Sequence, residues 1–179
     1  MKKISMTLDD KSIDKAIKEV KAYRQSVSKK CDIVTRRIVQ EILVPAIKAN
    51  LSGIQYDGDA LDITVTAKQI SPGVWAAVAS GENLLFAEFG TGVTYSDNHP
   101  KAAELGMVRG SYGQGKVKQA AWGYYGEPGT NGKIIKTTDK GNLVITHGNP
   151  ANMPVYNAAK TLEQSTALIA KIVRDVFST

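Results

Sequence analysis

The sequence predicts an α+β fold in which N-terminal helices and a C-terminal helix pack on a small antiparallel sheet. Three observations lead to this prediction. Apolar residues recur every three or four positions in residues 9–50 and again after Pro154, which is typical of helices. Between these regions the apolar period falls to two, in two segments that each contain turn-forming residues, as expected of β-hairpins. A long glycine-rich loop separates the two hairpins.

The length and composition fit a single domain that spans residues 1–179. The chain has 179 residues, of which 42% are hydrophobic and 22% are charged, close to the average for globular domains. Its one cysteine, Cys31, lies in an amphipathic stretch, so we expect a buried thiol. The apolar runs fall far short of the ~20 residues that a membrane span requires, so we expect no membrane association.

The N-terminal region predicts a short strand and then a long helix. We predict a strand at Lys3–Thr7 and an N-terminal cap of the helix at Asp9. The helical spacing extends to residue 47, and at Ser28 the helix either continues or restarts. Pro45 should kink this helix or split off its last turn, because proline lacks an amide donor and clashes with the preceding turn.

Two β-hairpins are predicted from the alternation of apolar and polar residues. Residues 60–80 form the first, with its turn at residues 71–73. Ile134–Thr138 and Leu143–His147 form the second, and the four residues between them are typical of a turn. Pro154 then begins a single C-terminal helix with its apolar residues on one side.

Charge is distributed unevenly along the chain. Residues 1–50 hold twelve Lys/Arg against six Asp/Glu, residues 51–100 hold one against six, and residues 101–179 hold ten against five. The net charge of +6 makes nucleic acid a partner to consider. The basic residues are spread along helix faces without an arginine-rich run, which favours solvated helix surface.

Residues 88–92, Glu-Phe-Gly-Thr-Gly, are a candidate for chemistry or for a structural turn. A phosphate-binding loop requires Lys-Ser/Thr and a helix after its glycines, and neither follows Gly92. Catalysis by Glu88 with His99 stays open, because two titratable side chains can meet in any fold. We favour a structural role, in which Glu88 accepts hydrogen bonds from loop amides and the glycines permit positive φ or close approach to a neighbour.

The sequence carries no signal of a metal or cofactor site. It has two histidines and one cysteine, and the spacings of zinc ligands or of a nucleophile elbow do not occur. We therefore predict no catalytic residue, no cofactor and no metal ligand, and we expect that the chain is not an enzyme.

Residues 90–132 are predicted to be an interaction loop within the domain. They include ten glycines in forty-three positions and five of the chain's twelve aromatic residues. Long loops in compact domains are commonly functional, and Tyr and Trp concentrate binding energy at interfaces. The alternative is that these aromatic side chains pack back over the sheet. The predicted interaction residues are Glu88, Phe89, Gly90, Thr91, Gly92, Tyr95, His99, Tyr112, Trp122, Tyr124 and Tyr125.

Six short motifs follow one another between residues 86 and 159. They are FAEFGTG at 86–92, HPKA at 99–102, GSYGQGK at 110–116, WGY at 122–124, THGNPA at 146–151 and YNAA at 156–159. With the helices on either side, this series resembles the small neck or tail-completion proteins of long-tailed bacteriophages, often described as minor capsid or tail-component proteins. The resemblance covers about residues 28–177.

The resemblance implies a non-enzymatic virion protein that acts where the head joins the tail. It implies self-assembly into a homo-oligomeric, for example hexameric, ring, with head-closure proteins and tail-terminator or tail-tube proteins as further partners. The protein would assemble in the host cytoplasm and reside in the neck or tail, with non-specific proximity to DNA. One departure is the loop at 90–132, which is longer than in compact relatives and leaves its partner open.

Two alternatives come from other classes of function. The first is a DNA-binding protein that uses the basic N-terminal helices. The second is a small hydrolase that uses Glu88 and His99.

Overall fold

A computed structural model gives the architecture of the chain and describes residues 4–56, 59–60, 62–95, 98–112 and 115–178. The helices are α1 (Asp10–Ile38), α2 (Val44–Leu51), α3 (Leu84–Phe89), α4 (Pro154–Gln164) and α5 (Thr166–Ser178), with a π-helical turn at Val39–Leu43 and a 3₁₀ turn at Gly115–Lys118. The strands are β1 (Gln55–Tyr56), β2 (Asp59–Ala60), β3 (Ile63–Ser71), β4 (Val74–Gly81), β5 (Trp122–Tyr125), β6 (Gly132–Thr138) and β7 (Gly141–Thr146). The predicted α+β fold class is confirmed.

The N-terminal helix begins at the predicted cap. The Asp9 carboxylate accepts the amide hydrogen of Ser12 at 2.9 Å, which is the bond of an N-cap. α1 then runs through Ser28 without interruption. Pro45 was predicted to kink the helix or to split off its last turn. The backbone stays helical from α1 through α2 without a split, and the bonding changes to a π-helical turn at Val39–Leu43, just before Pro45. The wider π turn accommodates a residue that cannot donate an amide hydrogen bond.

The strand predicted at Lys3–Thr7 is wrong for its described part, residues 4–7. The Thr7 amide donates a hydrogen bond to Ser12 Oγ at 2.9 Å, and the Thr7 hydroxyl donates to the Asp9 carboxylate. These local bonds tie the segment to the first turn of α1 instead of to a strand. Lys3 itself lies outside the described residues.

Both predicted hairpins form, but they do not share one sheet. β3 pairs antiparallel with β4, from Ile63 opposite Gly81 to Ser71 opposite Val74. β7 pairs with both β5 and β6 in a separate three-stranded sheet, and β1 pairs with β2. The single sheet predicted from the sequence is therefore wrong, because alternation predicts strands but not which strands pair. Leu61, within the first predicted hairpin, lies outside the described residues.

The C-terminal helix is broken into α4 and α5 at Ser165, where the sequence predicts one helix. Ser165 has φ −85° and ψ 32°, and its hydroxyl donates to the Thr161 carbonyl at 2.7 Å. This bond competes for the carbonyl that a helical amide would use and lets the chain turn. As a result α4 packs on α2, while α5 packs along α1.

The core lies in two clusters on the helical side of the molecule. The first joins α1, the π turn and α5 through Val34, Ile42, Ile172 and Val176. The second joins α2, β3 and α4 through Ile47, Val65 and Ala158. Neither cluster includes a residue of β5, β6 or β7, although Val144 of β7 is fully buried.

The first half of α1 extends past the end of α5. Val34 packs against α5, and the Lys30 ammonium lies 5.6 Å from the ring centroid of Phe177, near the end of that helix. Residues 10–29 therefore continue for roughly 30 Å beyond it, at about 1.5 Å per residue. Cys31, predicted to be buried, is exposed, because helical spacing indicates an apolar face but not how far the covering helix reaches.

Candidate functional site

Several of the sequence motifs meet at one place, which we call the Gly-Thr-Gly junction. It consists of residues 86–92, His99, Tyr112 and residues 147–156. The first of these segments comes from α3 and the chain just after it, and the last runs from the end of β7 into α4. Hydrogen bonds in the junction join residues up to 68 positions apart. The junction thus connects the helical core to the three-stranded sheet.

Glu88 lies at the centre of the junction, where it caps α4. Its Oε2 accepts the amide hydrogen of Val155 at 2.8 Å, and its Oε1 accepts that of Tyr156 at 2.9 Å. Met153 precedes α4 and provides no side-chain cap, so the carboxylate of Glu88 takes that role and faces the positive end of the helix dipole. The sequence predicted that Glu88 accepts backbone hydrogen bonds, but the donors are amides of α4 and not of the loop.

His99 is held in one tautomer beside Glu88. Its Nε2 lies 3.0 Å from Glu88 Oε1, and its Nδ1 accepts the amide hydrogen of Lys101 at 3.1 Å. Because Nδ1 is an acceptor, the proton of a neutral ring is on Nε2 and is donated to the carboxylate. The rings of Phe89 and Tyr156 pack against the imidazole, with centroids 4.4 and 5.3 Å away. The ring is therefore fixed in position and orientation.

The Glu88–His99 pair is buried, and its polar atoms are occupied. The His99 side chain is 4% exposed and the Glu88 side chain 10%. Each carboxylate oxygen and each ring nitrogen already has a hydrogen-bond partner. General acid–base catalysis needs an atom within reach of a substrate proton. In this geometry the pair acts as an internal brace.

Thr91 joins the two main segments of the junction by reciprocal hydrogen bonds with Asn149. The Thr91 amide donates to the Asn149 carbonyl at 2.8 Å, and the Asn149 amide donates to Thr91 Oγ1 at 2.8 Å. Arg109 adds a third element, because its guanidinium donates to the Thr91 carbonyl at 3.1 Å and lies 5.8 Å from the ring centroid of Tyr95. The sequence did not single out Arg109, since one arginine beside a glycine carries no distinctive pattern.

The glycines of the junction allow two backbones to touch. Gly90, Gly92 and Gly148 all have positive φ, at 82°, 73° and 88°. A Cβ on Gly90 would lie 2.7 Å from the Asn149 carbonyl oxygen, and one on Gly92 would lie 2.6 Å from that of His147. The predicted roles of Gly90 and Gly92, positive φ and close approach, are both confirmed.

Tyr112 packs back on the junction. For this side chain the structure therefore favours internal packing over binding to a partner. Its ring centroid lies 6.3 Å from that of Phe86 and 6.1 Å from that of Phe89, and its hydroxyl donates to the Gly90 carbonyl. Gly113 and Gln114, the next residues of its motif, lie outside the described residues.

The aromatic residues of β5 differ in burial. Trp122 and Tyr124 are partly buried, and the Tyr124 hydroxyl donates to the Glu127 carbonyl at 2.8 Å. Tyr125 is 54% exposed. Of the predicted interaction residues, six are buried in the junction, namely Glu88, Phe89, Gly90, Thr91, Gly92 and His99.

A second polar cluster, which the sequence did not indicate, fixes the first hairpin to α1. Asp32 Oδ1 accepts hydrogen bonds from the Gln69 side-chain amide at 2.9 Å, the Gly73 amide at 3.0 Å and the Trp75 indole at 3.1 Å. A single aspartate on a helix is typical of a solvated face, so only the pairing of helix and turn in space identifies this role.

The described part of the chain contains no group of three or more His, Cys, Asp or Glu side chains placed to hold a metal ion. Within these same residues, the helices lack the combined length and hydropathy for crossing a bilayer.

Comparisons of the chain with known protein families, with curated proteins and with solved structures give no match. The resemblance to phage neck and tail-completion proteins therefore rests on the ordered motifs and stays a prediction.

Proposed function

We propose that the chain is a structural virion component that acts in phage head–tail joining or tail completion by assembling into a ring. The observation that carries the proposal is the meeting of the resembling motifs in one Gly-Thr-Gly junction. Residues 86–92 and 147–156 are far apart in the sequence, yet they pack backbone against backbone. Motifs that pack two distant segments together make a rigid scaffold, and such a scaffold can position surfaces for assembly.

Exposed apolar side chains away from the junction support self-assembly. In the three-stranded sheet, Tyr125 is 54% exposed and Ile135 of β6 is 60% exposed. On α1, Val20 is 53% exposed. Aromatic side chains are enriched at protein–protein interfaces, which makes Tyr125 the best candidate of the three for such a contact. The proposed partners are further copies in a homo-oligomeric, for example hexameric, ring, with head-closure proteins on one side and tail-terminator or tail-tube proteins on the other.

Electron microscopy of phage lysates tests the proposal. The gene is interrupted in the phage genome that carries it, and the lysate is compared with one in which an intact copy is supplied. We expect DNA-filled heads beside separate tails, with whole particles restored by the intact copy. Normal infectious particles from the interrupted genome would contradict the proposal.

Deletion of residues 95–125 is a poor test of the loop at 90–132. The deletion would remove His99, Tyr112 and β5, which pack in the junction and in the three-stranded sheet. We therefore expect it to destabilise the fold, so that lost assembly would not report on an interface. Substitutions of exposed side chains are the better probe.

DNA binding by α1 is the second candidate function. It is favoured by the exposed basic side chains Lys15, Lys18, Lys21 and Arg24. Such binding would weaken steeply with salt, with a log–log slope near −0.9 per phosphate contacted. Binding in the micromolar range at moderate salt would favour this candidate, and sequence-independent binding only at low salt would fit a protein that merely lies near DNA.

The hydrolase alternative has less support, because the atoms of Glu88 and His99 are already paired. It would be favoured if Glu88→Ala abolished an activity on some substrate while particle assembly stayed unchanged.

A further inference from the structure

The half of α1 that extends past α5 carries an open apolar stripe. Its positions alternate in spacing between four and three, and they are occupied by Ile13, Ile17, Val20, Arg24 and Val27. Ile17 is 46% exposed and Val20 is 53% exposed. The same spacing continues to Val34 and Ile38, which pack against α5. One stripe is thus covered at its C-terminal end and exposed at Ile17 and Val20, whereas Ile13 and Val27 are partly buried and the adjacent Ala16 is buried.

The open stripe is basic as well as apolar. Residues 13–27 hold four Lys/Arg against two Asp/Glu. Lys18 and Lys21 each follow a stripe residue by one position, as does Asp14, so these three side chains lie beside the stripe. Arg24 lies within the stripe, and all three basic side chains are exposed. A surface that fits this one should combine apolar side chains with carboxylates.

The open end of the first hairpin lies away from residues 10–29 along the helical region. The hairpin's turn is fixed to α1 by the hydrogen bond from the Gly73 amide to Asp32. Its open end, around Ile63, packs on the cluster of Ile47 in α2. The hairpin therefore runs along the long helical region in the direction away from residues 10–29.

This open end carries carboxylates and an apolar side chain. Asp62 and Glu82 flank the last pair of the β3–β4 ladder, where Ile63 lies opposite Gly81. Both acidic residues are exposed. Leu85, in the first turn of α3, is 48% exposed. We call these three residues, Asp62, Glu82 and Leu85, the acidic end.

We propose that residues 13–27 of α1 in one copy bind the acidic end of the next copy. The inference rests on the proposed function, since it specifies the contact by which the ring forms. Because the two surfaces differ and lie apart along the helical region, the contact is head-to-tail, and it closes into a ring or continues as a filament. Pairing of two α1 stripes with each other is disfavoured, because it would bring two basic surfaces together.

Two double variants, each altered on one surface, test the contact. The stripe variant carries Ile17→Ser and Val20→Ser, and the end variant carries Asp62→Lys and Glu82→Lys. All four side chains are exposed, so we expect the circular dichroism and melting temperature of both variants to match those of the wild type. Leu168→Ser, at a side chain of α5 that is 42% exposed, is the matched control.

The mass of each protein is measured by light scattering after size-exclusion chromatography. We expect the wild type and the control to form the same oligomer and each variant alone to be a monomer. An equimolar mixture of the two variants should give a one-to-one dimer, because each supplies the surface that the other lacks. That dimer is specific to a head-to-tail contact.

Three results would overturn the inference. The first is an end variant that assembles like the wild type, which would mean that the stripe pairs with itself or with another surface. The second is a wild-type chain that stays monomeric at all concentrations. The third is a stripe variant with wild-type mass that has lost binding to anionic vesicles or to duplex DNA, which would assign the stripe to a membrane or to nucleic acid.

The inference and the proposed function fail in different ways. If the variants behave as expected but interruption of the gene leaves normal particles, the head-to-tail contact stands and the role in head–tail joining fails. If interruption separates heads from tails but both variants assemble normally, only the head-to-tail contact fails.

Discussion

Glu88 Oε2 lies 2.8 Å from the amide nitrogen of Val155, a residue 67 positions further along the chain. A carboxylate from α3 therefore caps α4, so the start of α4 is fixed by a distant side chain and not by its own neighbours. His99 bonds to the same carboxylate through Oε1. Three segments are thus held by one buried side chain.

Glu88→Ala should lower the free energy of unfolding by about 1–3 kcal/mol or more, because the amides of Val155 and Tyr156 and the His99 ring each lose an acceptor in a buried place. Urea denaturation followed by far-UV circular dichroism measures the change. Glu163→Ala, at an exposed position of α4, is the matched control and should leave the midpoint unchanged. Equal midpoints for the two variants would show that Glu88 does not brace the junction.

Gly90→Ala should be more destabilising than Gly106→Ala. Both glycines have positive φ, 82° and 69°, but a Cβ on Gly106 meets no atom within 4 Å, whereas one on Gly90 would lie 2.7 Å from the Asn149 carbonyl oxygen. Alanine at Gly106 should therefore cost roughly 1–2 kcal/mol for its left-handed backbone. Gly90 has ψ −177°, in a region that is essentially restricted to glycine, so its backbone cost should be at least as large. An overpacking cost of about 1–3 kcal/mol should add to it.

Urea midpoints of the two glycine variants, compared with the wild type, test this order of stability. Similar losses of stability at both positions would mean that backbone conformation alone explains Gly90, and that the contact between residues 90–92 and 147–149 can shift to make room.

The sequence predicted the elements whose causes are local. Three features depend on residues within a few positions of one another: the cap at Asp9, the irregular helical turn before Pro45 and the two hairpins. The partition of the strands into separate sheets depends on long-range packing, which alternation does not encode. The break at Ser165 depends on one side-chain hydrogen bond, which competes with the backbone hydrogen bonds of the helix. A serine within a helical pattern does not predict such a break.

The same distinction applies to the junction. The conformational role of Gly90 and Gly92 could be predicted, because glycine is the residue that adopts positive φ at low cost. The donors that bond to Glu88 could not, because Val155 and Tyr156 become its neighbours only when α3 packs on α4. Arg109 and Asp32 were missed for the same reason, since each bonds to backbone groups brought near by the fold.

Asp32→Ala should loosen the turn of the first hairpin from α1. The variant removes the acceptor of three hydrogen bonds, including that of the Trp75 indole at 3.1 Å, and should lower the free energy of unfolding by about 1–2 kcal/mol. The indole N–H resonance of Trp75 should shift in the ¹H–¹⁵N spectrum, while that of Trp122 should not. Asp32→Asn keeps an acceptor of the same shape and should retain most of the stability. If the Trp75 resonance did not move in Asp32→Ala, the bond would be absent in solution.

The first turn of α1 should lose stability in acid. The hydroxyl of Thr7 and then the amide of Ser12 donate to the Asp9 carboxylate and hold its pKa below the ordinary value of 3.8. Because the folded pKa lies below the unfolded one, this contribution is complete above the unfolded pKa and is lost as the pH falls through the folded pKa. We expect the Ser12 amide resonance to move toward its unfolded position over that range, with no change at higher pH.

Asp9→Asn distinguishes this cap from the other carboxylates near the start of α1. Asparagine also accepts the Ser12 amide hydrogen but does not titrate, so the variant should keep the helix start at neutral pH and lose its acid dependence. Asp10 and Asp14 are present in both proteins, so their contributions cancel in the comparison. The Ser12 amide resonance could show the same acid-induced shift in Asp9→Asn as in the wild type. That result would assign the pH dependence to the neighbouring carboxylates and not to Asp9.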